Sequence, residues 1–248
     1  MRPYYGDDMP LPPPYPLGQQ QYYDGGAPRR VVYLQPPRPA PYRGPRTSSR
    51  ELFDLALAVI VLTVVFGMPG GGIFTLAGAP PWLIGWLFGS AFVAVMLSIF
   101  PHELAHKFVA QRYGCWAEFR RSDHFMGISI LFALIGGFGI AGAGAVMIAG
   151  PVTKESNGKI SAAGPATNAL MGALLFPLAW STGSIPLLQT VLALTVWVNV
   201  GLGIFNMLPV WILDGKKIWN WNAGVYIGLF ALLVVLGAGV YLSGVLFT

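Results

Sequence analysis

The chain has 248 residues, 54% of them hydrophobic and only 10% charged, with a mean hydropathy of +0.59. Soluble globular chains carry about 25% charged residues, so a water-soluble core is excluded and an integral membrane protein is expected. The basic excess is not a nucleic-acid footprint: residues 1–50 hold seven Arg against three Asp, and residues 51–248 hold eight Lys or Arg against seven Asp or Glu.

Residues 1–47 contain about half the prolines, seven of the ten tyrosines and the run Gln19-Gln20-Gln21, with almost no aliphatic clusters. Such a stretch buries too little apolar area to offset its ordering entropy, so a disordered, locally polyproline-like tail is expected ahead of a membrane domain at 48–248. Within the tail, Pro36-Pro37-Arg38-Pro39 suits a partner's aromatic groove, although a plain flexible tail is the simpler reading. Arg43, Arg46 and Arg50 stand just before the first apolar run, where anionic lipid headgroups are their natural partners. No short apolar run with a small-residue cleavage site stands near Met1, so no signal peptide is expected. Cys115 is alone and forms no intrachain disulfide.

The first span is expected from Leu52 to Met68. Thr47, Ser48 or Ser49 would cap it, and Glu51 and Asp54 would face the positive end of the helix dipole. Pro69-Gly70-Gly71-Gly72 ends it, and Pro80-Pro81 opens a second span from Trp82 to Tyr113. Phe100-Pro101-His102-Glu103-Leu104-Ala105-His106 lies in its last third. On a helix, two imidazoles four residues apart share a face and can close on one metal ion. Glu103 beside them can reach a water on that ion, the arrangement of a zinc hydrolase. The bland alternative is a helix end with polar residues turned to water, but the chain has only three His in all. Pro101 should kink the helix and free a backbone carbonyl.

Glu118 to His124 mark an aqueous face, with His124 read as a solvated loop residue. Residues 126–150 are apolar but hold seven glycines, a pattern equally suited to a span, a re-entrant hairpin or extended strands. A third span is expected at Ile160–Trp180, beginning near Gly164-Pro165-Ala166-Thr167-Asn168, where Asn168 is a buried amide that needs a partner. A fourth runs from Pro186 to Leu208 and a last from Ala223 to Leu246. The fold class is therefore a mostly α, polytopic membrane protein of about five to six spans, with a short irregular or β re-entrant segment between the second and third.

Positive charge gathers in the tail, at Lys107–Arg121, at Lys154 and Lys159 and at Lys216 and Lys217, while loops 69–81 and 181–185 carry none. The positive-inside rule then places the tail and the His motif toward the cytoplasm in a cell-membrane protein. A zinc site needs a third protein ligand, and Glu118, Asp123, His124, Glu155 and Asp214 are the candidates. Two crossings separate the motif from Asp214, which returns Asp214 to the motif's side provided that 126–150 enters and leaves from one side. Irregular backbone at that depth is tolerated where it lines protein or a wet cavity.

On His102-Glu103-Leu104-Ala105-His106, Gly164-Pro165-Ala166-Thr167-Asn168 and Asn206-Met207-Leu208-Pro209-Val210-Trp211-Ile212-Leu213-Asp214-Gly215, the chain resembles the site-2 protease family of intramembrane zinc metalloproteases. The resemblance covers about residues 82–220. It implies Zn2+ held by His102, His106 and Asp214, Glu103 as general base, and Asn206 binding the substrate backbone or the developing oxyanion. It also implies Asn168 as a helix-packing or substrate-side residue, and transmembrane protein segments in the lipid bilayer as substrates. Trp211 and Ile212 depart from the small residues or proline of many relatives. No soluble PDZ or CBS domain is expected. A membrane transporter or metal-handling protein would use the same His and Asp residues as an ion path, and a silent scaffold would use its tail. Glu103 discriminates, because a transporter has no need of a carboxylate poised beside the ion.

Overall fold

The computed structural model describes residues 17–24, 27–34, 47–136, 142–210 and 212–245. The chain divides into two compact units, Met1–Pro41 and Tyr42–Thr248. In the first, β1 (Leu17–Asp24) and β2 (Ala27–Leu34) pair antiparallel, from Leu17↔Leu34 to Asp24↔Ala27. Disorder was expected there from the scarcity of aliphatic residues. The strand-forming tyrosines and valines on either side of Gly25-Gly26 are a hairpin signal, in a two-stranded ribbon that is marginal in water by itself. Pro36-Pro37-Arg38-Pro39, Arg43 and Arg46 lie outside the described residues.

In the second unit, α1 (Ser49–Gly67) starts at Ser48, whose hydroxyl accepts the Glu51 N–H at 3.1 Å. The single turn α2 (Ile73–Leu76) precedes α3 (Pro81–Arg112), which is about 48 Å long at about 1.5 Å per residue. Then come β3 (Trp116–Arg121), α4 (Asp123–Gly136), β4 (Gly144–Ala149) and α5 (Lys154–Ser181), the last opened by a Thr153–Ser156 capping box. They are followed by α6 (Pro186–Asn206), α7 (Asp214–Trp221) and α8 (Ala223–Leu242). Among the described residues, α3, α5, α6 and α8 are long and apolar enough to cross a membrane. The other long helix, α1, carries Arg50, Glu51 and Asp54 in its first two turns.

One apolar cluster joins α1, α3, α4 and α6 through Leu62, Val65, Val95, Ala133 and Leu202. A second joins α5, α6 and α8 through Ala179, Val196, Val200 and Val240. Close helix approach depends on small residues: a Cβ on Gly203 of α6 would meet Leu233 of α8 at 2.7 Å. Leu174 and Leu178 on α5, Trp197 on α6 and Val235 and Leu242 on α8 point outward. Water would not tolerate such a surface at this density, and lipid does.

The stretch between α3 and α5 bears on the crossing count. β3 and β4 pair antiparallel with Arg121 opposite Gly144, and the Ser122 N–H donates to the Ala143 carbonyl at 2.8 Å. The chain therefore departs through α4 and returns to where it left. With 14 residues, about 21 Å, α4 falls short of a ~30 Å hydrocarbon core. Among the described helices long and apolar enough to cross a membrane, α5 and α6 alone lie between the His motif and α7, so the two ends of that pair come back to one level.

Candidate metal centre

His102 and His106 project from the last third of α3, one turn apart, and Pro101 leaves α3 continuous. A proline nitrogen cannot bond the carbonyl four residues earlier. That carbonyl, Leu97 O, instead accepts Asn199 Nδ2 at 3.2 Å from α6. The next, Ser98 O, accepts Asn168 Nδ2 at 3.3 Å from α5. The proline thus frees one acceptor, and together with Ser98 O it ties three helices together directly behind the first imidazole.

Asp214 arrives from the other side. α6 ends at Asn206, the chain turns through Met207 and Leu208, and α7 begins with Asp214 at its N-terminus, where the helix dipole favours a carboxylate. Gly215 makes this turn possible: a Cβ there would meet Met207 O at 2.1 Å. Asp214 Oδ2 lies 3.0 Å from His106 Nε2 and 3.7 Å from His102 Nε2, and the two nitrogens are 3.1 Å apart. All three residues are buried. The remaining oxygen, Oδ1, accepts Lys217 Nζ at 3.4 Å.

The hydrogen bonds on the far side of each ring fix which nitrogen is free. His106 Nδ1 donates to the Ile160 carbonyl at 2.8 Å. His102 Nδ1 faces Asn168 Oδ1; since Asn168 Nδ2 is already donating to Ser98 O and to Asn199 Oδ1, its oxygen must accept and the ring must donate. Two Nε2 lone pairs and a carboxylate oxygen then converge on one point, which is repulsive until a cation occupies it. Donors about 2.0–2.2 Å from one tetrahedral zinc stand about 3.3–3.5 Å apart, and this triangle has sides of 3.0, 3.1 and 3.7 Å. The donor set, its size and its orienting partners therefore fit Zn2+ with a fourth position open.

Glu103 is half-buried and sits beside His102, outside the triangle. Asn206 is half-buried at the end of α6, its amide donating to Leu202 O at 3.1 Å. Asn168, a substrate-side candidate from the sequence, is fully enclosed, and its contacts are to His102, Ser98 and Asn199. The other carboxylates are engaged elsewhere: Glu118 with Arg120 and Ser48, Asp123 with Arg121, and Glu155 with Lys159. His124 is exposed in the first turn of α4. Ile212 is exposed, and Trp211 lies outside the described residues.

Two contributors escaped the sequence reading. Asn199 and Ser98 hold Asn168, with the Asn199 amide donating to Ser98 Oγ at 2.7 Å. Gly164 lies against both rings: its Cβ would meet His106 Nε2 at 2.3 Å and His102 Cε1 at 2.7 Å. The available signal was a polar residue on an apolar helix, which must find a partner, and Asn199 is such a residue.

Comparison with known proteins agrees with this chemistry. The family model described as Peptidase family M50 matches residues 182–224. A candidate zinc metalloprotease of Methanocaldococcus jannaschii is 33% identical over 184 residues, 73% of this chain and 89% of the relative. A candidate zinc metalloprotease of Mycobacterium tuberculosis is 32% identical over 145 residues, covering 57% of this chain and 33% of its own length. A second zinc metalloprotease of M. jannaschii is 30% identical over 131 residues, 51% of this chain and 32% of the relative. No solved structure matches the chain.

Proposed function

Since the chain belongs to peptidase family M50, the site-2 protease family, we propose that this multi-pass membrane zinc metalloprotease cuts peptide bonds in or near transmembrane segments of other membrane proteins. The observation that carries the reading is the triangle of His102 Nε2, His106 Nε2 and Asp214 Oδ2 inside a bundle whose outer surface is apolar.

A zinc ion held by these three atoms supplies a Lewis acid and an acidified water. Glu103 takes the proton from the attacking water and returns it to the leaving amine nitrogen. Asn206 turns its amide from Leu202 O to the oxygen that becomes negative, a contact of about 3–4 kcal/mol in comparable sites. Asn168 keeps His102 in the tautomer that presents Nε2. A transmembrane helix hides its backbone, so substrates are segments that unwind easily, with Gly, Pro or Asn near the cut. The N-terminal tail and the active site face the cytoplasm, where the Lys and Arg of the connecting segments gather. The proposed activity is of the regulated intramembrane type.

The deciding experiment incubates the purified chain in detergent with a panel of single-span proteins. Wild type should cut those with weak helices, and a chelator should stop it. Glu103→Gln should keep its zinc and lose cutting by a factor of at least about 100, the lower end of what a general base supplies. Undiminished cutting by Glu103→Gln overturns the assignment of the base, and equal cutting of rigid poly-Leu spans overturns the substrate class.

A further inference from the structure

Asn199 lies wholly buried in the apolar helix α6, two turns before Asn206. Its side chain bonds to Leu97, Ser98, Thr195 and Asn168, and to none of the three metal donors. The ordinary role of such an amide in a membrane helix is glue between neighbours. The sense of its hydrogen bonds does more than glue requires.

Asn199 Nδ2 faces Leu97 O at 3.2 Å, Thr195 O at 2.9 Å and Ser98 Oγ at 2.7 Å. The two carbonyls can only accept. Ser98 accepts as well, because its own hydroxyl hydrogen goes to Thr195 O at 3.4 Å. Leu97 O belongs to this group because Pro101, the residue before His102, has no N–H to offer it. The Asn199 amide therefore has one permitted direction, with nitrogen toward these acceptors and Oδ1 toward α5. There Oδ1 accepts Asn168 Nδ2 at 3.0 Å. Asn168 Nδ2 also meets Ser98 O, so the second amide is fixed in turn and its Oδ1 is left facing His102 Nδ1. Reversing either amide would set oxygen against oxygen and leave buried acceptors unpaired.

Resting on the zinc metalloprotease reading above, we infer that Asn199 is a positioning residue for the metal centre. It sets the direction of the Asn168 amide and, through it, keeps the His102 proton on Nδ1, so that Nε2 presents its lone pair to the ion. The direction starts from backbone carbonyls of α3 and α6 and passes through two side-chain amides to the ring. Without Asn199, only Ser98 O orients Asn168. Its Nδ2 can then turn on the ring, and the ring proton moves to Nε2, where it blocks the ion.

The test measures zinc affinity of the purified full chain in detergent by competition with a chromogenic chelator, with helical circular dichroism as the check of folding. Loss of an orienting partner costs about 10–100-fold in metal affinity, so Asn199→Ala should bind zinc at least about tenfold more weakly than wild type. Asn199→Leu restores the volume without polar atoms and should lose as much. Asn168→Asp carries two equivalent oxygens and offers the ring an acceptor whichever way it turns. In that background Asn199→Ala should change the affinity by less than about twofold, the scatter within which such effects compare. Wild-type affinity in Asn199→Ala overturns the relay, and so does recovery by Asn199→Leu, the result for a packing role. An equal loss from Asn199→Ala in both backgrounds, the result for helix glue, overturns it too. Asn168→Asp that no longer holds zinc does the same, since an acceptor for the ring is the last step. Wild type that binds no zinc overturns the metal reading itself.

Discussion

At the scale of single residues, the metal centre rests on a missing side chain as much as on the three that point into it. His102 and His106 are fixed to one rigid helix, and Gly164 on α5 fills the remaining space against both rings. In Gly164→Ala the new methyl would sit 2.3 Å from His106 Nε2, so the donor triangle must open or α5 must retreat. Zinc content by elemental analysis should fall well below one ion per chain while helical circular dichroism stays intact; a full complement of zinc would contradict this. Asn168→Ala removes the acceptor that fixes the His102 tautomer and also strands Ser98 O and Asn199 Oδ1. Loss of an orienting partner typically costs about 10–100-fold in metal affinity. Competition with a chromogenic chelator should show that loss, and Asn168→Asp, which keeps an acceptor for the ring, should recover most of it. The His-Glu-His spacing was legible in the sequence because helical period alone puts i and i+4 on one face. Gly164 and Asn168 were legible only as a motif, since their reason is what packs on them from a helix some 60 residues away in sequence.

At the scale of elements, α1 is held to the rest by charges rather than by its apolar face alone. Glu51 and Lys107 pair at 2.6 Å with side chains that are 0% and 1% exposed. Lys107 Nζ also donates to Thr47 Oγ1, and Glu51 Oε1 accepts the Phe119 N–H at 2.9 Å. One carboxylate thus ties the start of α1 to the helix bearing His106 and to β3. Breaking a buried pair from one side leaves an uncompensated charge and costs about 3–5 kcal/mol. Glu51→Ala should lose that much in denaturant unfolding in detergent, and Glu51→Leu combined with Lys107→Met should recover most of it. Equal stability of Glu51→Ala and wild type would show that the pair does not hold α1. The helix dipole accounted for Glu51 and Asp54 in the sequence, and both do lie in the first two turns. Their partners, Lys107 for one and Arg120 and Arg121 for the other, stand more than 50 residues downstream, and no local pattern names them.

For the whole molecule, the site exists only because the chain crosses an even number of times between its two halves. The sequence carried that argument through its charges: Asp214 could join His102 and His106 only if the glycine-rich stretch after β3 returned to its starting level. The pairing of Arg121 with Gly144 makes it do so. What charge and hydropathy could not supply was the form of the excursion, a short helix followed by a strand, because apolar runs of that length read alike as helix or strand. The arrangement fixes which connections share a face. His124 and Lys216 are exposed on the motif's side, and Ala77 and Ser184 are exposed in the two uncharged loops. Single cysteines at these four positions can be read against a quiet background, since Cys115 is buried and burial pushes its thiol above the usual range. With an impermeant maleimide, His124→Cys and Lys216→Cys should label together in inside-out vesicles, and Ala77→Cys and Ser184→Cys in right-side-out ones. If His124→Cys and Lys216→Cys instead label from opposite faces, α4 spans the bilayer and Asp214 is parted from the imidazoles. If all four simply exchange sides, the triangle stands and the cytoplasmic orientation fails.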